Sequence, residues 1–248
     1  MGRWSRSLAA EAVAWLKPPP GLRWLDIGCG TGALSAALLN AAEPASLVGL
    51  DPSLAYVRMA QERHPDPRAT FAVGDSTALD LPDGAVDRVV SGLVLNFVPD
   101  QDAALREIRR VLVPGGVAAA YVWNYADGMA MLLHFWDVAV AENPAASAFA
   151  ERTRFPLCHP NRLEQLFIDS GLTEVTARTL EVPTVFADFD DYWEPFLGGQ
   201  GPGPTYCTTL SEQARDRLRD RLRSTLPTEP DGSIRLTARA FAVQGTSH

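Results

Sequence analysis

The chain has 248 residues, 46% hydrophobic and 21% charged, with a formal net charge of −8 at pH 7. That length buries a core without staples, and the acidic balance argues against long-range attraction to a nucleic-acid backbone. No apolar run reaches the roughly 18 residues of a membrane span, and the three cysteines form no CxxC pair, so inert thiols in a reducing compartment are expected.

Residues 5–16 ("SRSLAAEAVAWL") read as a helix stopped by Pro18-Pro19-Pro20-Gly21. Glu11 inside that apolar stretch makes it neither signal peptide nor membrane anchor, so a soluble cytoplasmic protein is expected, monomer or homodimer. Next comes a strand-turn-helix alternation. "LRWLDIG" (22–28) is a strand, "TGALSAALLNAA" (31–42) a helix, "SLVGLD" a second strand, and "PSLAYVRMAQERH" a helix whose final His64 reads as solvated. "ATFAVGD" and "AVDRVVSGLVL" are the third and fourth strands, "DQDAALREIRRVL" a helix, Pro114–Gly116 a turn and "VAAAYVW" (117–123) the fifth strand. Strands alternating with helices predict an α/β fold, a mostly parallel sheet covered on both faces.

The second half differs. Residues 129–142 read as a bulky apolar helix, and "HPNRLEQLFIDSGL" as a helix with Pro160 near its start and Gly171 past its end. "TEVTARTLEVPTVF" and "SIRLTARAFAVQG" are strands. Between them lie "ADFDDYWEPFL", a Gly/Pro-rich loop "GGQGPGP" that reads as a hinge or surface loop, and a charged helix over 209–226. Thr209 with Glu212 fits a capping box there.

Glycines are densest in "WLDIGCGTGAL", at the first strand-to-helix turn, where open α/β sheets bind ligands. Gly28, Gly30 and Ala33 satisfy the loose dinucleotide pattern, with Asp51 about 20 residues on. Three features oppose an NAD reading. Asp26 ends the first strand and would repel a pyrophosphate. Asp75 ends the third strand, adding a further carboxylate to the same rim. Lys17, the one lysine, precedes the whole region, so no Tyr-x-x-x-Lys pair is possible, and no P-loop is present. Carboxylates at successive strand ends suit a ligand with a positive amino group, ribose hydroxyls and an exocyclic amine.

Here the sequence resembles the class I S-adenosylmethionine-dependent methyltransferases of the broad small-molecule type. "LDIGCGTG", "GLDPS", "VGDSTALDLPDGAVDRVVS" and "EIRRVLVPGG" follow that family's motifs in order. The resemblance implies a Rossmann-like seven-stranded sheet with a last antiparallel strand, residues 233–245, inserted beside the fifth. It implies S-adenosyl-L-methionine as cofactor, with S-adenosyl-L-homocysteine as product. Asp26 would hold the methionine ammonium. Gly28, Gly30 and Gly32 would let the backbone turn beneath the cofactor. Asp51 would accept both ribose hydroxyls, Pro52 and Ser53 would flank the adenine, Asp75 would accept from its amine, and the Ser76 amide would face a ring nitrogen. Arg6 is a candidate partner for the cofactor carboxylate.

Methyl transfer is an in-line displacement in which positioning supplies much of the rate. Asn96 follows the fourth strand, where relatives often carry a His, so no obvious general base stands there. Trp123, Tyr125, His134 and Trp193 are further candidates for the acceptor pocket. No His has metal-ligand spacing. The expected organisation is a core with its N-terminal helix over 1–126, a helical insertion or cap over 127–172, and the last two strands over 173–248 with a cap insertion over 187–230. The expected activity is methyl transfer to a small organic molecule, without nucleic-acid or membrane partners. The alternative is a non-catalytic S-adenosylmethionine-binding sensor or partner protein on the same scaffold.

Overall fold

β1 (Arg23–Ile27) is buried at four of its five positions, as a strand with neighbours on both sides and helices over both faces must be. The computed structural model describes residues 2–198 and 201–248. In chain order, β1 follows α1 (Gly2–Leu16) and leads to α2 (Ala33–Ala41), β2 (Ser46–Asp51), α3 (Leu54–Arg63), β3 (Ala69–Val73) and β4 (Val86–Gly92). Then come α4 (Gln101–Val111), β5 (Leu112–Trp123), α5 (Ala130–Glu142), α6 (Glu151–Arg154), α7 (Arg162–Asp169) and β6 (Thr173–Phe186). The last elements are α8 (Phe189–Trp193), α9 (Pro202–Thr209), α10 (Glu212–Thr225) and β7 (Ile234–Thr246).

The seven strands form one sheet in the order β3-β2-β1-β4-β5-β7-β6. The first five pair in parallel. β7 runs against β5: the Gly115 and Ser247 amides donate to Ser247 and Gly116 carbonyls, while Asn124 donates to Arg239 at the far end. The mixed, mostly parallel sheet expected from the sequence is therefore present. Its order reverses between β1 and β4, which places the switch point at the glycine-rich turn.

The chain divides into two compact units. One comprises Gly2–Val122, Pro160–Leu180 and Phe241–His248, and is here the glycine-loop unit. Within it α1 lies on α2, burying Trp4, Leu8, Ala12 and Val13 at helical spacing. The other comprises Trp123–His159 and Glu181–Ala240. Its core is aromatic: Phe135 stacks on Phe196 with ring centroids 4.2 Å apart and meets Trp136 edge-on at 4.9 Å. Such pairs stabilise beyond their buried area.

Four local expectations are corrected. Pro114–Gly116 is not a turn before the fifth strand but an irregularity inside β5, where pairing jumps from Val86–Leu112 to Arg88–Val117 and Gly115 takes φ 78°. α7 begins at Arg162, after Asn161 in a left-handed conformation, so Pro160 lies outside it. The "GPGP" half of the expected loop opens α9, with proline at its first turn, where the missing N–H costs nothing. Gly199 and Gln200 of that loop lie outside the described residues. The N-cap of the charged helix is Ser211, whose hydroxyl accepts from the Ala214 amide (3.3 Å), not Thr209, which ends α9 and donates to the Tyr206 carbonyl (2.7 Å).

Candidate functional site at the glycine loop

The turn after β1 is tied to the end of β2. The Leu50 carbonyl accepts from the Gly28 (2.7 Å) and Cys29 (3.0 Å) amides. Asp51 then clamps the loop, accepting from the Gly30 amide through Oδ2 (3.0 Å) and the Ser53 amide through Oδ1 (2.9 Å). A carboxylate has about four lone-pair directions, so both oxygens keep acceptor capacity.

Gly28, Gly30 and Gly32 all have positive φ, and two of them also lack room for a side chain. A Cβ on Gly28 would strike the Val94 side chain, and one on Gly32 would strike the His64 ring. His64 is thus half-buried behind the loop, its Nε2 3.2 Å from the Thr31 carbonyl, rather than solvated. Cys29 is the small inward side chain of the loop, in a cluster with Val57, Ala60 and Phe71. Burial pushes its thiol far above the ordinary range, which leaves it protonated.

Asp26 is 1% exposed. The Ser35 hydroxyl, on α2, donates to its Oδ2 at 2.6 Å, while Oδ1 has no hydrogen-bond partner. Burial pushes this carboxyl up to about 7, the Ser35 bonds oppose that shift, and Asp51 adds to it. The Tyr121 phenol, also buried and raised by burial and by Asp26, stands over Gly92 on β4. Just beyond, Leu93 holds φ 65°, an unfavourable conformation for a branched residue.

Next to the loop opens a cavity of about 420 Å³, in the size range of small-molecule sites. Gly28, Pro52, Asp75, Ser76 and Phe97 help to line it, and no cationic side chain does. Asp75 is exposed there, and its Oδ1 accepts from both the amide and the hydroxyl of Thr77 (2.8 Å each), which hold its carboxyl below the usual range. Among the described residues Oδ2 faces no such donor. Arg6 is exposed on α1 and takes part in no ion pair among the described residues.

The acceptor-side candidates divide between the units. Asn96 belongs to the glycine-loop unit, and its Nδ2 is buried without a partner. Trp123, Tyr125, His134 and Trp193 belong to the aromatic unit. Trp123 and Trp193 are buried, and His134 is half-buried. Tyr125 lies against Phe155, and burial raises its phenol far above neutrality, so it is no base at neutral pH. Among the described residues no group of three His, Cys, Asp or Glu stands together to hold a metal, and no helix is long and apolar enough to cross a membrane.

Sequence reasoning missed Ser35, His64, Val94, Phe97 and Tyr121. Ser35 had a readable signal: it is a lone hydroxyl between Leu34 and Leu38 on the buried side of an apolar helix. The others reach the loop through tertiary packing, which sequence spacing does not report.

Residues 25–120 match the family model described as a methyltransferase domain. The chain is 34% identical over 188 residues to the 2-methyl-6-phytyl-1,4-hydroquinone methyltransferase of Synechocystis sp., covering 74% of this chain but 57% of that protein. It is 29% identical over 186 residues to the demethylmenaquinone methyltransferase of Roseiflexus castenholzii, covering 70% and 77%. The malonyl-[acyl-carrier protein] O-methyltransferase of Methylococcus capsulatus is 34% identical, with 71% of this chain and 62% of that protein covered. Among solved structures, the YcgJ protein from Bacillus subtilis matches 99% of both chains with a TM-score of 0.62 at 18% identity, a likeness of fold.

Fold, switch point and glycine turn together define a nucleotide-binding α/β protein of the methyltransferase kind. Residues 25–120 form a methyltransferase domain, and the chain is similar to the class I S-adenosylmethionine-dependent methyltransferases.

Proposed function

We propose that the protein transfers a methyl group from S-adenosylmethionine to a small organic acceptor. One observation carries the reading: carboxylates end β1 and β2 and follow β3 (Asp26, Asp51, Asp75), around a glycine turn beside a cavity that no cation lines. A pyrophosphate would meet carboxylates and no cationic side chain there. The parts of the methyl donor fit the residues present, because Asp26 Oδ1 is a buried acceptor without a donor.

When bound, S-adenosylmethionine supplies a methyl group on a positively charged sulfur. Asp26 would take the ammonium, and Asp51, fixed by two backbone amides, the ribose hydroxyls. Asp75 would accept from the adenine amine through Oδ2, with the Ser76 amide beside it and Pro52 on the apolar wall. Gly28, Gly30 and Gly32 keep side chains off the approach. Arg6, exposed on the first helix, is the residue proposed for the carboxylate. The family's reaction forms a bond from an acceptor atom to the methyl carbon as the sulfur–carbon bond breaks, leaving a neutral thioether. A base is required only for an acceptor that must lose its proton early, and Asn96 serves as a hydrogen-bonding group instead.

The relatives act on chemically different acceptors, so acceptor choice belongs to residues outside the cofactor motifs. We assign it to the aromatic unit, with Trp123, Tyr125, His134 and Trp193 as its candidates; Asn96 of the glycine-loop unit is a separate candidate. The net charge of −8 favours a small molecule over nucleic acid, and a cytoplasmic monomer or homodimer is consistent with the composition.

Thermal-shift measurements on cofactor-stripped protein test the reading. S-adenosylmethionine and S-adenosylhomocysteine are expected to raise the melting temperature, NADH to leave it unchanged, and Asp51→Ala to abolish the rise. Stabilisation by NADH alone overturns it. Binding of both sulfur nucleotides, with no methyl transfer to any acceptor of a broad small-molecule panel, would favour the sensor alternative.

A further inference from the structure

Serines inside helices usually return their hydroxyl to the carbonyl one turn back or point to solvent. Ser35 does neither. It is fully buried in α2, its hydroxyl donates to Asp26 Oδ2 at 2.6 Å, and its backbone amide also faces that carboxylate. Asp26 Oδ1 has no partner. The ionisable groups that bear on this carboxylate are Cys29 of the loop, Asp51 of β2 and Tyr121 of β5, and none of them is a cation. A buried acceptor without a donor is disfavoured unless something arrives to complete it.

We propose that Ser35 is a positioning residue for the amino end of the methyl donor: it occupies one oxygen of Asp26 and so turns the other toward an incoming ammonium. The inference rests on the methyl-donor reading above and adds to it a residue outside the glycine motif. Without the hydroxyl, Asp26 can rotate about its terminal torsion, which is broad for a carboxylate. The ammonium then finds its acceptor misaligned, whereas the nucleoside, held at Asp51 and Asp75, does not.

The test uses two ligands that share the nucleoside and differ in the amino-acid portion: S-adenosylhomocysteine and 5′-methylthioadenosine. Affinities are measured by calorimetry for the full-length wild type, Ser35→Ala and Ser35→Cys, the last nearly isosteric but a weak donor. Ser35→Ala is expected to weaken S-adenosylhomocysteine about tenfold, the size of one lost hydrogen bond to a charged group. 5′-Methylthioadenosine is expected to change by less than about twofold, and Ser35→Cys to fall between wild type and Ser35→Ala. Equal weakening of both ligands shows that Ser35 acts on the fold alone and overturns the proposal, as does unchanged affinity for S-adenosylhomocysteine. If the wild type binds neither ligand, it is the methyl-donor reading that fails.

Discussion

Asp26 in the glycine-loop unit and Glu151 in the aromatic unit are both buried carboxylates, 1% and 5% exposed, and burial raises the pKa of each. Their surroundings differ. Glu151 accepts from the Trp136 indole at 2.5 Å, feels the positive charge of Arg154, and has no buried oxygen left without a partner. Asp26 has Ser35 on one oxygen, nothing on the other, and a second carboxylate nearby. One carboxyl is completed by its own chain and staples two segments. The other is left incomplete, which costs stability and suits the ligand contact proposed for it.

The wider units repeat the contrast. In the aromatic unit Tyr192 donates to the Met131 carbonyl at 2.8 Å and the rings interlock. Among its described residues the one buried polar side-chain atom without a partner is Thr184 Oγ1. Among its described residues the glycine-loop unit leaves Trp24 Nε1, Asp26 Oδ1, Ser91 Oγ, Asn96 Nδ2 and Arg109 Nε unpartnered and holds Leu93 in the left-handed region.

The variants that sharpen this contrast run from large effects to small. Phe135→Ala removes a fully buried ring from the aromatic core and is expected to cost about 3–5 kcal/mol, lowering the melting temperature by roughly 10 °C. S-adenosylhomocysteine affinity should stay within about twofold, because its proposed contacts lie in the other unit. A comparable loss of affinity breaks the division. Gly28→Ala combines a left-handed backbone with a collision against Val94, and is expected to weaken binding by at least about 30-fold. Wild-type affinity in that variant would mean the loop has another conformation.

Asp26→Asn carries a pH signature. The folded carboxyl sits at about 7 against an ordinary 3.8, so the native state holds a proton that the unfolded chain has lost. Its contribution to stability therefore falls as pH rises from about 4 through 7. The variant has no such loss, so its apo form should melt on the order of 5 °C above wild type at pH 8, with little difference at pH 4. Equal melting at all pH values contradicts a strained Asp26. Glu151→Gln, which keeps an acceptor for Trp136, should change stability by less than about 1 kcal/mol across the same range; a gain at high pH resembling that of Asp26→Asn would erase the contrast.

Much of this was legible in the sequence, for physical reasons that vary by segment. β6 matches its predicted span to the residue, because Gly171 ends one element and β-branched residues recur along the whole stretch. Asp26, Asp51 and Asp75 stood out in the sequence as charged groups at or just past the ends of apolar strands, and they remain the carboxylates proposed for the methyl donor. The segment from 144 to 158 was not. Its two short 3₁₀ turns and four-residue helix carry too few residues for any periodicity to show. The bulge in β5 hid because glycine and proline mark turns and strand irregularities alike. Ser35 was hidden in part by its neighbours, since a small hydroxyl among leucines and alanines also suits plain helix packing.

The most direct measurement is calorimetric titration of cofactor-stripped wild type and Asp26→Asn with S-adenosylhomocysteine at pH 7, in two buffers of different ionisation enthalpy. Because burial raises the Asp26 carboxyl toward neutrality, an arriving ammonium should expel a measurable fraction of a proton per site. Tight binding with that release, and loss of both in Asp26→Asn, is the expected result. Binding of equal strength in both proteins, with no proton released, would contradict the claim that this buried carboxylate is held ready for a cation.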